Sequence, residues 1–137
     1  MNFLDSIWLI PLFPAMGFVI NGLFGKRFPK FVINLVGCGS VLISFIFAVG
    51  GVTQLLGLEE TERSHSVTVY EWINAGAAHT ADGDIARFSI DWGFLLDPLS
   101  AVMVLVVTGI GLLIHIYSIG YMAAEDGYYR FFAYMNL

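Results

Sequence analysis

The stretch DPLSAVMVLVVTGIGLLIHIYSIG, residues 97–120, decides the fold, because its one formally charged side chain is the aspartate that opens it. Asp97 suits a helix cap: its carboxylate can accept a free N–H of the first turn. Pro98 suits the first helical position, where a missing N–H costs nothing. At about 1.5 Å per residue this helix is roughly 35 Å long, enough to cross a hydrocarbon core of about 30 Å with some tilt. Its small and polar residues recur at steps of three and four, so that Asp97, Ala101, Val104, Thr108, Gly111, His115 and Ser118 share one face while Leu, Val and Ile fill the other. Hydroxyls and an imidazole find no partner among acyl chains, and that face must turn toward protein. A helix of this kind belongs in a bundle.

The composition of the whole chain agrees. Its 137 residues are 58% hydrophobic and 12% charged, with a mean hydropathy of +0.78. Soluble domains carry about a quarter charged residues. The class expected is therefore an all-α integral membrane protein, in contact with the lipid bilayer. The single cysteine, Cys38, lies in an apolar run, which excludes an internal disulfide and a cysteine-based metal site. The net charge of -5 collects in one segment between helices, and no basic stripe supports nucleic-acid binding.

Upstream of residue 97 lies the only long polar stretch, residues 57–96, which holds Glu59, Glu60, Glu62, Glu71, Asp82, Asp84 and Asp91 against Arg63 and Arg87. Within it SVTVYEWI, residues 66–73, sets Val67 and Val69 against Thr68, Tyr70 and Trp72. Residues 85–94 set Phe88, Ile90 and Trp92 against Arg87, Ser89 and Asp91. This alternation predicts two short strands of a β-hairpin, joined by residues 74–84 with a turn signal at Asp82-Gly83. His65 and His79 have no partner at ligand spacing, so no metal site is expected there.

Two more apolar runs precede the loop. Residues 31–56 place Gly37, Ser40, Ser44, Ala48 and Gly51 on one stripe, read as a packing face because no ionisable group lies on it. Residues 7–25 contain Pro11 and Pro14 and are followed by Lys26, Arg27 and Lys30. A secretory signal peptide carries its positive charge before the apolar run, so this is a retained first helix. The basic cluster stays in the cytoplasm, which puts the amino terminus and residues 57–96 on the extracytoplasmic side.

Downstream, Tyr117, Tyr121, Tyr128 and Tyr129 suit the headgroup level, Glu125-Asp126-Gly127 supplies a turn, and Arg130 adds to the inner basic residues. A fourth helix is expected to start from about residue 130. Residues 131–137 cover only about 10 Å, so the chain reads as the front of a longer one.

From Trp92 onward the sequence contains DPLS, HIYSIGYM and YRFFAYMNL in that order, preceded by LIPLFPAMGFVINGLFG near the start and VYEWINAG in the loop. These segments resemble the amino-terminal region of the L-type membrane subunit of bacterial proton-pumping NADH:quinone oxidoreductase, the counterpart of mitochondrial subunit 5. The antiporter-like subunits of multisubunit sodium/proton antiporters share the D-x-L-S opening, and His115 within IHIYSIGYM favours the respiratory family. The resemblance implies a many-helix, proton-translocating subunit in the bacterial inner membrane, packed against other membrane-arm subunits and against the rest of its own chain beyond Leu137. It implies that NADH, FMN, iron-sulfur clusters and quinone are bound by other subunits. It also implies that the ionisable channel residues lie on later helices, so residues 1–137 contribute no catalytic, cofactor-binding or metal-binding residue and scaffold the channel. A sodium/proton antiporter subunit and a small structural or assembly protein are the alternatives.

The intramembrane polar candidates are His115, Thr108 and Ser118, with Asp97 as the cap. His115 can pair with Ser118 one turn on or with Thr108 two turns back. The expected state is a neutral imidazole held by helix-to-helix hydrogen bonds; a place on a proton path is the alternative.

Overall fold

A computed structural model describes residues 2–60, 63–79 and 85–137. Helix α1 spans Leu9–Phe24 and ends in a 3-10 turn, Gly25–Arg27; α2 spans Lys30–Leu56; strands β1, His65–His79, and β2, Ile85–Leu96, form an antiparallel hairpin; α3 spans Pro98–Tyr121 and α4 Tyr128–Asn136. Three helical spans are long and apolar enough to cross a membrane, with mean hydropathies of 1.4, 2.3 and 2.4 in chain order. The expected class, three spanning helices with the start of a fourth and a hairpin between the second and third, is the one found.

Helix α2 is the central post: α1, α3 and α4 all pack against it, and α4 also lies along α1. Toward the hairpin end, Leu4, Ile7 and Ile10 meet Ala48, Val52 and Leu55 of α2, and Leu96 and Ala101 close the cluster where β2 passes into α3. At the opposite end Ile33, Tyr128 and Phe132 form a second cluster. Small residues make the approach of α4 possible. A Cβ added to Gly25 would stand 2.7 Å from Tyr129 Cβ, and one added to Gly37 would stand 2.9 Å from Phe132 Cδ1.

Pro14 lies inside α1 and has no N–H to give to the carbonyl of Ile10, four residues back. That acceptor is buried in an apolar environment, where an unmet carbonyl is costly. Ser44 of α2 meets it, its Oγ donating to Ile10 O at 2.7 Å. The proline in one helix and the serine in the next are thus one device. The first N–H groups of the chain are treated similarly: Gln54 Oε1, near the end of α2, accepts from Phe3 N at 2.8 Å and Leu4 N at 3.1 Å.

Two expectations need correction. Strand β1 does not stop at Ile73 but continues to His79, pairing Ala77 with Arg87 and His79 with Ile85, across irregularities at Thr68/Tyr70, Glu71/Ile73 and Asn74/Ala77. Alanine and glycine in residues 75–78 show no alternation, and each irregularity shifts the facing pattern, so the partner strand carries what the local sequence does not signal. The Asp82-Gly83 turn lies outside the described residues. Tyr128, expected at the headgroup level, is only 5% exposed. Gly127, at φ 84°, folds α4 back over the bundle, so that Tyr128 packs at a tilt against Phe132 with ring centroids 5.0 Å apart and donates its hydroxyl to Asn34 Oδ1. Tyr117 and Tyr121 do stand exposed, stacked at 5.8 Å.

Candidate functional site

The polar residues inside the bundle fall into two sets. The first is on α3. Asp97 Oδ1 accepts from Ser100 N at 2.7 Å, and the hydrogen bonds from Ser100, its side chain first and then its backbone N–H, hold the Asp97 carboxyl below its ordinary value. Deeper in the helix Thr108 Oγ1 donates to Val104 O at 2.6 Å, and Ser118 Oγ donates to Ile114 O at 2.8 Å. His115, 3% exposed, places Nδ1 2.8 Å from Gly111 O. A carbonyl only accepts, so Nδ1 donates a proton to it. Nε2 is buried and has no hydrogen-bond partner among the described residues.

Those contacts replace the pairings expected from spacing. His115 bonds neither Ser118 nor Thr108, and among the described residues no helix-to-helix hydrogen bond holds it. A side chain in a helix leans back toward its own amino-terminal turn, where the carbonyl four residues earlier is the nearest acceptor, and all three residues take that local option. The interhelical contact of His115 is the ring of Phe132, with centroids 6.2 Å apart.

The second set joins α1, α2 and α4. Ser40 Oγ lies 2.9 Å from Gly37 O and 3.0 Å from Asn136 Oδ1, and Asn136 Nδ2 donates to Phe132 O at 3.0 Å. Asn21 Nδ2 donates across to Ile33 O at 3.3 Å, while Asn21 Oδ1 is buried with no partner among the described residues. Asn34 and Asn136 carry much of this seam with Tyr128, and the two asparagines were not among the residues the sequence singled out. Their signal was available: an asparagine in an apolar run is costly unless it faces protein.

On the hairpin side His65 Nε2 stands 3.1 Å from Asp5 Oδ1, both partly exposed, a tie between the amino-terminal segment and the base of β1. The His79 side chain lies outside the described residues. Among the described residues no three His, Cys, Asp or Glu side chains come together. Cys38 alone cannot ligate an iron-sulfur cluster, which takes four cysteines, and among the described residues no strand leads into a glycine-rich turn of the dinucleotide type.

An open groove of about 730 Å³ runs between α1 and α3 over Val41 of α2, and Ser100, Thr108, His115 and Asn136 stand on its largely apolar wall. A bundle of apolar spans whose polar groups are mostly bonded internally, with Asn21 Oδ1 and His115 Nε2 left over and an open, largely apolar groove, is a helical membrane protein.

The family described as NADH-ubiquinone oxidoreductase (complex I), chain 5 N-terminus, matches residues 84–132. NADH-quinone oxidoreductase subunit L of Mycobacterium tuberculosis is 37% identical over 130 residues, covering 95% of this chain and 19% of that protein. The Escherichia coli K12 subunit L is 34% identical over 137 residues, 98% of this chain and 20% of its own length. Subunit L of Neisseria meningitidis MC58 is 37% identical over 139 residues, 100% of this chain and 19% of its own. The chain belongs to the subunit L family of NADH-quinone oxidoreductase, and it spans about a fifth of the length of the curated relatives it matches. The family is that of an integral membrane subunit of a multisubunit oxidoreductase, and its bacterial relatives are consistent with the bacterial inner membrane.

Proposed function

We propose that this chain serves in a membrane-arm subunit of NADH:quinone oxidoreductase that takes part in proton translocation coupled to electron transfer from NADH to quinone, and that residues 1–137 scaffold the channel. The observation that carries this reading is similarity to subunit L running through 95% or more of the chain, hairpin and helices alike. The bundle's own chemistry supports a scaffolding role. A proton path across hydrocarbon needs a chain of ionisable groups or water near the midplane, whereas α3 offers a single imidazole and two hydroxyls, each bonded to its own helix. NADH, FMN, iron-sulfur clusters and quinone belong, in this reading, to other subunits.

The test is purification of the natively expressed, tagged protein in mild detergent. Flavin, iron-sulfur clusters and NADH-dependent quinone reduction should co-purify. Recovery with small hydrophobic subunits alone and no redox centre would favour the sodium/proton antiporter reading.

We also propose that the amino terminus and the hairpin face outward. Lys26, Arg27, Lys30 and Arg130 gather at the other end of the bundle, where Lys30 Nζ donates to Ala123 O at 2.6 Å. A membrane-impermeant thiol reagent on intact cells should label a cysteine placed at Glu59 and spare one at Pro29. The reverse pattern inverts the topology.

A further inference from the structure

We infer that the basic end of the bundle holds the headgroup of an anionic phospholipid, seated between the turn that joins α1 to α2 and the start of α4. Cations from two segments far apart in the chain are brought to one place there, and Tyr129 is what joins them. It packs on Gly25, where an added Cβ would stand 2.7 Å from its own, and this seats its ring beside the 3-10 turn that carries Lys26 and Arg27. Arg130 donates from Nε to Tyr129 Oη at 3.0 Å, with its guanidinium carbon 5.6 Å from the centre of the ring. Its two terminal nitrogens form no hydrogen bond among the described residues. Lys26, Arg27 and Arg130 are all exposed.

These charges are unanswered within the chain. No ion pair involves Lys26, Arg27 or Arg130 among the described residues; Arg63 with Glu60 and His65 with Asp5 stand on the hairpin side. Glu125 and Asp126 lie at the basic end, exposed, and neither pairs with a cation. Lys30 is already engaged, its Nζ on Ala123 O and 5.2 Å from the centre of the Tyr128 ring. The amino-terminal ends of α2 and α4 have no acidic residue in the first turn, and their partial positive charge adds to that of the side chains. Guanidinium and ammonium groups only donate, and phosphate oxygens are the acceptors that suit them. The next layer selects a lipid over a free anion. Leu23 and Phe24, which end α1 one turn further into the bilayer than Lys26 and Arg27, are 72% and 49% exposed, and Phe31 in the first turn of α2 is 74% exposed. Inorganic phosphate gains nothing from these side chains, whereas a phospholipid lays its acyl chains on them while its headgroup meets the cations. The site depends on the membrane spans, and not on the redox partners or on which side the amino terminus lies.

The experiment uses the full-length chain in its native assembly, reconstituted in nanodiscs of phosphatidylcholine. A trace of one lipid with a photoreactive diazirine in its acyl chain is added, either phosphatidylglycerol or phosphatidylcholine. Each Lys or Arg near a membrane surface favours an anionic lipid by about fivefold. After irradiation, peptide mapping should find residues 23–31 labelled at least about tenfold more by the phosphatidylglycerol probe than by the phosphatidylcholine one. With Lys26→Gln, Arg27→Gln and Arg130→Gln combined, that excess should fall to within about twofold, while Lys26→Arg with Arg27→Lys should keep it. If the combined variant does not assemble, Arg130→Gln alone should lower the excess by about fivefold. Equal labelling by the two probes overturns the inference, as does an excess that survives neutralisation of the cations. Loss of labelling on adding inorganic phosphate, beyond that caused by sodium chloride of equal ionic strength, would make this a site for a free anion and overturn it too. So would labelling that is absent because residues 23–31 are covered by another polypeptide, seen as protection of a cysteine at Leu23 from a lipid-soluble maleimide.

Discussion

Helices α2 and α3 both carry a stripe of small and polar residues at helical spacing, and the two stripes are used differently. On α2 the polar groups are fasteners: besides carbonyls of their own helix, Ser44 reaches Ile10 of α1 and Ser40 reaches Asn136 of α4, and Asn34 receives Tyr128. On α3 they are self-contained, with Thr108, His115 and Ser118 each bonded to a carbonyl of the same helix. A fastener ties a helix to one neighbour in one register. A self-bonded hydroxyl ties its helix to no neighbour, so the stripe of α3 makes fewer fixed commitments than that of α2. A polar stripe therefore marks the face that turns inward, not the kind of bond it makes there.

The largest test of that contrast is Phe132→Ala. Phe132 is fully buried between Gly37 of α2 and His115 of α3. Its removal should destabilise the folded subunit by about 3 kcal/mol, through the cavity left behind. Denaturant titration of the purified complex in detergent, read by release of this subunit, gives the number. A loss below about 1 kcal/mol would mean that α4 is held by its hydrogen bonds.

Ser44→Ala comes next, at about 1 kcal/mol, the upper part of the range for interhelical hydrogen bonds in membranes. The geometry makes a sharper demand. Pro14→Ala restores an N–H that can reach Ile10 O, so Ser44→Ala should be close to neutral in that background. Additive losses in the double-mutant cycle would show that the serine is not completing the proline's missing bond.

On α3, Ser118→Ala and Thr108→Val should each change stability by less than about 0.5 kcal/mol, since the bond removed holds no neighbour. A loss equal to that of Ser44→Ala would erase the distinction between the helices. His115→Gln belongs with this pair: in the complete complex it should keep most NADH-driven proton pumping, measured with a pH dye in vesicles. Normal assembly with pumping abolished would put His115 on a proton path.

The smallest effect is at the cap of α3. Asp97 titrates below its ordinary value in the folded chain, so its contribution is full above the unfolded carboxylate value of about 3.9 and fades as pH falls through the lower folded one. Amide exchange in the first turn of α3 should quicken there in the native protein, beyond the change expected from intrinsic exchange chemistry. Asp97→Asn should show no such excess.

Much of this architecture can be read from the residues. The three spans follow from apolar length, the buried face of α3 from the spacing of Ala101, Thr108, His115 and Ser118, and the hairpin from alternation around Tyr70 and Trp92. What cannot be read locally is partner choice. Ser44 meets a carbonyl 34 positions away, and only the proline five residues into α1 hints that an acceptor is waiting. Tyr128 looks like an interface residue until Gly127 turns α4 inward. The alanines of β1 have strand geometry because β2 is beside them, which no period in residues 75–78 announces.

The pairing of Pro14 with Ser44 also bears on the order in which a growing chain enters the bilayer. Until α2 arrives, α1 holds a carbonyl that hydrocarbon cannot satisfy, which favours leaving this helix beside the insertion machinery or near water. Arrival of Ser44 removes that reason. The first two helices should therefore become resident in lipid as a pair: a nascent chain ending after α1 should be extracted from membranes by alkali more readily than one ending after α2, and Pro14→Ala should narrow the gap.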